Sequence, residues 1–191
     1  MLMFKKKYYL FLENTREFNL NLIKIRKKFN IIYRNQTTKE KIGNLKTFRN
    51  NCKKNGINLY IANNINLLSK IRADGLYISA NNKNLLLNNY SNKGFKIIGA
   101  AHNQKEFDLK LKQGCKEVIF SRLFETIYPH KKGHLGIQRF NILSQRLRAK
   151  LVPLGGINEK NINKMNMISS DSFAFLSAIK KKPANIINRL F

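Results

Sequence analysis

The chain has only ten acidic residues against 37 lysines and arginines. It also lacks several other features, and each absence excludes something. No apolar run approaches the ~20 residues that a membrane helix needs, so no membrane partner is expected. The start, "MLMFKKKYYLFLEN", places its lysines after the first apolar residues, and no small-residue cleavage site follows. It reads as a first strand and not as an export signal. Cysteine is limited to Cys52 and Cys115, in separate helix-like regions and without metal-binding spacing. They read as buried free thiols, and nothing demands an oxidising compartment, so the cytoplasm is the expected location. No linker or low-complexity tract divides the 191 residues, which suit one domain over 1–191.

The excess of base, a net charge of +27, invites a nucleic-acid reading. Two observations argue against it. The basic residues are spread along the whole chain. Asn, Ile, Lys and Phe are also the residues that AT-rich codons supply, so compositional drift produces the same charge. Nucleic acid is therefore not expected as the main partner, whereas a positive field favours small phosphorylated ligands.

Short runs of branched and aromatic residues alternate with helix-like stretches. "YYLFLE" (Tyr8 to Glu13) is followed by Phe18 to Phe29, where Leu22, Ile25 and Phe29 recur at helical spacing. "IIY" precedes a polar helix from about Lys39 to Asn55. "LYIA", "GLYIS", "KIIGA", "EVIF", "KLVPL" and "SFAFL" follow, each with a helix-like or loop segment behind it, and a helix is expected to start near Glu159. Such alternation predicts a parallel sheet, and about eight units predict closure into a single (β/α)₈ barrel of the TIM type. An open doubly wound sheet is the alternative, but no GxGxxG follows the first strand.

The site of such a barrel lies at the carboxyl ends of its strands. Just past each strand stand Glu13, Arg34, Asn63 with Asn64, Asn81 with Asn82, His102, Ser121 with Arg122, Gly155 with Gly156, and Ser177. In "KLVPLGGINEKN" an apolar run ends in two glycines, which a strand needs only where the chain turns sharply or something approaches its backbone. The loops after strands seven and eight commonly build a phosphate site. Gly155 and Gly156, with Ser177 and Ala178 of "LSAI", are accordingly expected to bind a phosphate.

"ADGLYIS", "IIGAAHNQKE", "FSRLFETIYPHKKGHLG", "VPLGGINEKNI" and "FAFLSAI" occur in an order that resembles thiamine-phosphate synthases and their thiazole tautomerase relatives. "YRN" (Tyr33 to Asn35) looks like that family's basic motif after strand two. Such synthases join an aminopyrimidine diphosphate to a thiazole phosphate and release pyrophosphate. The resemblance implies that Gly155, Gly156, Ser177 and Ala178 hold the thiazole phosphate, that Thr126 helps, and that Arg34 and Asn35 approach the diphosphate. It also implies Mg²⁺ on two aspartates after strands three and four. Here those positions read Asn63 and Asn82, which carry no negative charge for a hard cation. Arg122 is then the candidate for stabilising the departing diphosphate, with Glu13 or Glu125 as alternative recruiters of Mg²⁺. The Gly-Pro and Thr-Lys pairs of the family's sixth loop are replaced by Ser121-Arg122 and Tyr128-Pro129. A tautomerase reading asks for a proton-transfer residue among His102, His130 and His134, and spacing does not select one. Asp74 precedes strand four and is expected to cap structure at the opposite end.

Overall fold

The computed structural model describes residues 6–23, 27–35, 40–126, 133–147 and 149–176. Eight parallel strands close in sequence order into a barrel. They are β1 (Lys7–Leu12), β2 (Phe29–Tyr33), β3 (Asn58–Ala62), β4 (Gly75–Ile78), β5 (Lys96–Ala101), β6 (Glu117–Ser121), β7 (Lys150–Leu154) and β8 (Ser172–Phe175). Closure is made by β1 against β8, with Tyr8 opposite Phe173 and Leu10 opposite Phe175. The helices are α1 (Ile42–Lys54), α2 (Ile65–Ile71), α3 (Asn88–Asn92), α4 (Gln104–Lys112) and α5 (Gly136–Arg146). The (β/α)₈ expectation is met.

Alternation along each strand divides the core in two, because successive side chains point to opposite faces. Tyr9, Phe11, Ile32, Tyr60, Tyr77, Ile98, Ile119, Val152 and Ala174 fill the barrel interior. Their neighbours, such as Leu10, Ile31, Leu59, Leu76 and Val118, face outward and pack with the helices. The interior is lopsided. Aromatic rings from β1, β3 and β4 meet edge to face, Tyr9 with Tyr60 and Phe11 with Tyr77. Ala100, Val152 and Ala174 on β5, β7 and β8 leave them room. This is a packed plug, so any ligand must sit above it.

Two expected helices are absent among the described residues. Phe18 to Phe29 forms no described α-helix. A 3-10 turn at Thr15–Glu17 precedes it, its described part carries another at Leu20–Leu22, and Phe29 opens β2 instead. Asparagine is the reason. Asn14 Oδ1 accepts from the Arg16 N–H and Asn19 Oδ1 from the Asn21 N–H, giving the backbone a local alternative to helix. The helix expected near Glu159 is a 3-10 turn at Ile162–Met167. There Asn158 Oδ1 accepts from the Lys160 N–H, and Asn161 Oδ1 from the Asn158 N–H. The helix expected from Lys39 starts at Ile42.

Asp74 has the structural role expected of it. One carboxylate oxygen accepts from Arg49 at 2.7 Å and the other from the Leu59 N–H at 2.7 Å, tying β3 to the start of β4. Cys52 and Cys115 are free and buried. Burial pushes both thiols up to about 12, against an ordinary value of 9.0. The Tyr33 and Tyr77 hydroxyls rise to about 12 mainly through burial, and those of Tyr9 and Tyr60 rise further. Unfolding at high pH therefore releases protons that the folded chain retains. Stability is expected to be level near neutrality and to fall continuously as pH rises above about 9. Urea midpoints measured from pH 7 to pH 11 check this, and a flat profile across that range would contradict it.

Candidate functional site

At the carboxyl end of the barrel the structure gathers the expected residues into two groups. The first lies over β6 and β7. Gly155 and Gly156 both have positive φ, +102° and +72°. A side chain on Gly156 would strike main-chain atoms of the preceding loop: the Glu125 carbonyl oxygen, and the Phe124 carbonyl carbon and oxygen at 2.6 Å. What approaches this glycine is thus the protein's own backbone. The Leu123 and Phe124 N–H groups donate to Leu154 and Gly155 at 2.9 and 3.0 Å, extending β7 by a further pairing. On its other side the Leu135 and Gly136 N–H groups donate to Arg122 and Leu123. The described start of the loop after β6 is therefore pinned on both flanks.

That seating leaves the phosphate expectation a physical basis. The Gly156 carbonyl accepts from Asn158 and Asn161 side chains at 3.0 and 2.8 Å. Among the described residues, no hydrogen bond uses the N–H of Gly155 or Gly156. Two main-chain donors at a strand end suit an anion. The helix whose positive end was expected to assist is missing, since Ile162–Met167 is a 3-10 turn. The Arg122 stem lies across Gly155, with Cγ 3.2 Å from where a Cβ would stand. Its guanidinium reaches the Thr126 hydroxyl at 3.4 Å. Arg122, Thr126, Gly155 and Gly156 thus form one cluster, whereas Ser177, Ala178, Tyr128, Pro129 and His130 lie outside the described residues.

The second group is the β3–β4 corner. Asn63 takes the left-handed conformation, φ 55°, and its N–H donates to the Tyr77 carbonyl at 2.9 Å. Its Oδ1 accepts from the Ser79 N–H at 3.0 Å and from Asn82 Nδ2 at 3.1 Å, while its Nδ2 donates to the Ser79 hydroxyl at 2.9 Å. Asn82 Oδ1 accepts from the Asn84 N–H at 3.0 Å. The two candidate metal positions do meet, but as a neutral clasp. Both amide oxygens face main-chain donors, and neither brings charge, so this donor set does not fit Mg²⁺. Among the described residues no three His, Cys, Asp or Glu side chains come together to hold a metal, which leaves Glu13 and Glu125 without such a group.

Arg34 follows β2, its N–H donating to the Leu12 carbonyl at 2.8 Å. Burial raises the Tyr77 hydroxyl, and the Arg34 charge pulls the other way. Asn35 turns elsewhere. Its Nδ2 donates to the Tyr33 hydroxyl at 2.9 Å, within a network that Glu40 and Thr15 complete outside the barrel. His102 and His134 line one open pocket of about 530 Å³ with Ser121 and Arg122. His102 also joins the cap of α4. Its N–H donates to Glu106 at 2.7 Å, and Asn103 accepts from the Glu106 N–H at 2.9 Å.

Sequence reasoning passed over Lys110 and Gln113, both fully buried under the β4 loop. A signal was available. Lys110 stands three residues after buried Phe107, so α4 must turn both toward the sheet.

No helix among the described residues is long and apolar enough to cross a membrane. A curated thiamine-phosphate synthase from Prochlorococcus marinus subsp. pastoris is 24% identical over 129 residues, spanning 67% of this chain and 37% of that relative's length. Among solved structures, a thiamine phosphate pyrophosphorylase from Pyrococcus furiosus superposes with a TM-score of 0.72 at 17% identity, covering 100% of both chains. A native KDPGal structure superposes at 0.67 with 9% identity, covering 96% of this chain and 93% of its own. At these identities the superpositions speak for the fold alone. A family model described as thiamine monophosphate synthase matches residues 5–179, and the chain belongs to that family.

Proposed function

We propose that this protein is a divergent thiamine-phosphate synthase, a transferase of thiamine biosynthesis that works on small phosphorylated substrates in the cytoplasm. It would join an aminopyrimidine diphosphate to a thiazole phosphate and release pyrophosphate. The observation that carries the reading is the cluster over β7, where no hydrogen bond among the described residues uses the N–H groups of Gly155 and Gly156 and the Arg122 stem lies across Gly155. The thiazole phosphate would take the two N–H groups, with Ser177 and Ala178 proposed as further contacts on the strength of the family resemblance alone. Arg122 and Arg34 would meet the diphosphate, and Thr126 would orient Arg122. As the carbon–oxygen bond to diphosphate breaks, negative charge accumulates on the leaving group, and a preplaced guanidinium stabilises it without reorganisation.

A second reading has its own support. The neutral clasp of Asn63 and Asn82, with His102 and His134 beside Arg122, suits a relative that binds a thiazole phosphate without the joining step, as a tautomerase or a binding protein. A turnover assay with both substrates, following thiamine phosphate and pyrophosphate together, separates the two. Equal formation of both products is expected. No product, with thiazole phosphate still bound, would replace the synthase reading by the second.

A further inference from the structure

The β3–β4 corner has a positive charge built in behind it. Lys110 is fully buried, and its Nζ donates to the Asn82 carbonyl at 2.8 Å and to Gln113 Oε1 at 2.9 Å. Gln113 Nε2 donates to the carbonyls of Asn82 and Asn84 at 3.0 and 2.9 Å. Gly99 on β5 admits the lysine stem, because a Cβ there would stand 2.8 Å from Lys110 Cγ. No carboxylate among the described residues forms an ion pair with this ammonium. A buried lysine normally has a counter-charge, and here neutral oxygens from the main chain and one amide serve instead.

The consequences for a cation run in one direction. Asn63 Oδ1 and Asn82 Oδ1 already accept from N–H groups, so the positive ends of dipoles point at the atoms that would ligate an ion. The ammonium on the far side of Asn82 repels a second cation placed at the same corner. A magnesium site asks for the reverse: one or two carboxylates, and free oxygens aimed at one point.

We infer that this corner is a metal-free clasp braced by Lys110, and that the barrel mouth takes up its phosphorylated ligand without a divalent cation. The second half rests on the reading of the mouth as a phosphate site.

Mn²⁺ alone, titrated into the intact protein by calorimetry, tests the corner. The native chain is expected to show no saturable site below about 1 mM, and the paired substitution Asn63→Asp with Asn82→Asp to gain one site at least ~10-fold tighter. Adding Lys110→Met to that pair should tighten it again. One Mn²⁺ bound by the native chain in the submillimolar range would overturn the inference, and so would a paired variant that gains nothing. Inorganic pyrophosphate, titrated with EDTA and then with Mg²⁺, tests the mouth. Binding that persists in EDTA is expected, and binding that requires Mg²⁺ would overturn the inference. Pyrophosphate that binds in neither condition would remove the diphosphate reading of the mouth, with the Mn²⁺ titration still deciding the corner.

Discussion

Alanine at Gly156 is expected to cost about 2–4 kcal/mol and to lower the thermal midpoint by about 5–15 °C. Two costs add. The position has φ +72°, which an L side chain rarely adopts, and the new Cβ would overlap the Phe124 and Glu125 main chain. Main chain pinned by hydrogen bonds to Leu154 and Gly155 cannot swing aside as a flexible side chain would. Gly155→Ala provides the contrast. Its Cβ meets the Arg122 stem at 3.2 to 3.4 Å, and most of that stem can shift, so the conformational cost dominates there. Thermal unfolding followed by circular dichroism measures both. A Gly156→Ala midpoint within about 2 °C of the parent would mean that the loop after β6 is not seated on β7.

Arg122→Ala is expected to weaken inorganic pyrophosphate binding by about 10- to 100-fold, the worth of one or two charge-assisted hydrogen bonds. Arg122→Lys should fall between, since lysine keeps the charge and loses the planar fork. Inorganic phosphate, held by the glycine N–H groups, should be affected less. Calorimetry with both anions reads the difference, and an unchanged pyrophosphate dissociation constant would take Arg122 out of the site. Because its stem rests on Gly155, thermal midpoints of the same variants should be recorded to separate lost charge from lost packing.

Much of the barrel was legible because its signal is local. Runs such as "YYLFL" and "KIIGA" are buried on both faces and too short for helices, and their repetition leaves few topologies. The misread segments share a composition. Apolar spacing suggested a helix after Asn19 and a hydrophilic run suggested one near Glu159, but the side chains of Asn14, Asn19, Asn158 and Asn161 accept hydrogen bonds from nearby N–H groups and close tight turns. The surroundings of Asn35 were illegible for a different reason. Its neighbour Tyr33 ends a strand with its hydroxyl outside the barrel, in a network set by Glu40 and Thr15 from two other segments.

By itself the sequence determined the strand order, the closure, the paired glycines after β7, and the uncharged asparagines Asn63 and Asn82 after β3 and β4. Those are properties of residues and their neighbours along the chain. Tertiary structure alone decided that backbone fills the space against Gly156, that Asn63 and Asn82 bond each other, and that Lys110 reaches under Asn82 from α4. These contacts join separate loops, and barrel closure, not local propensity, sets the distances between them.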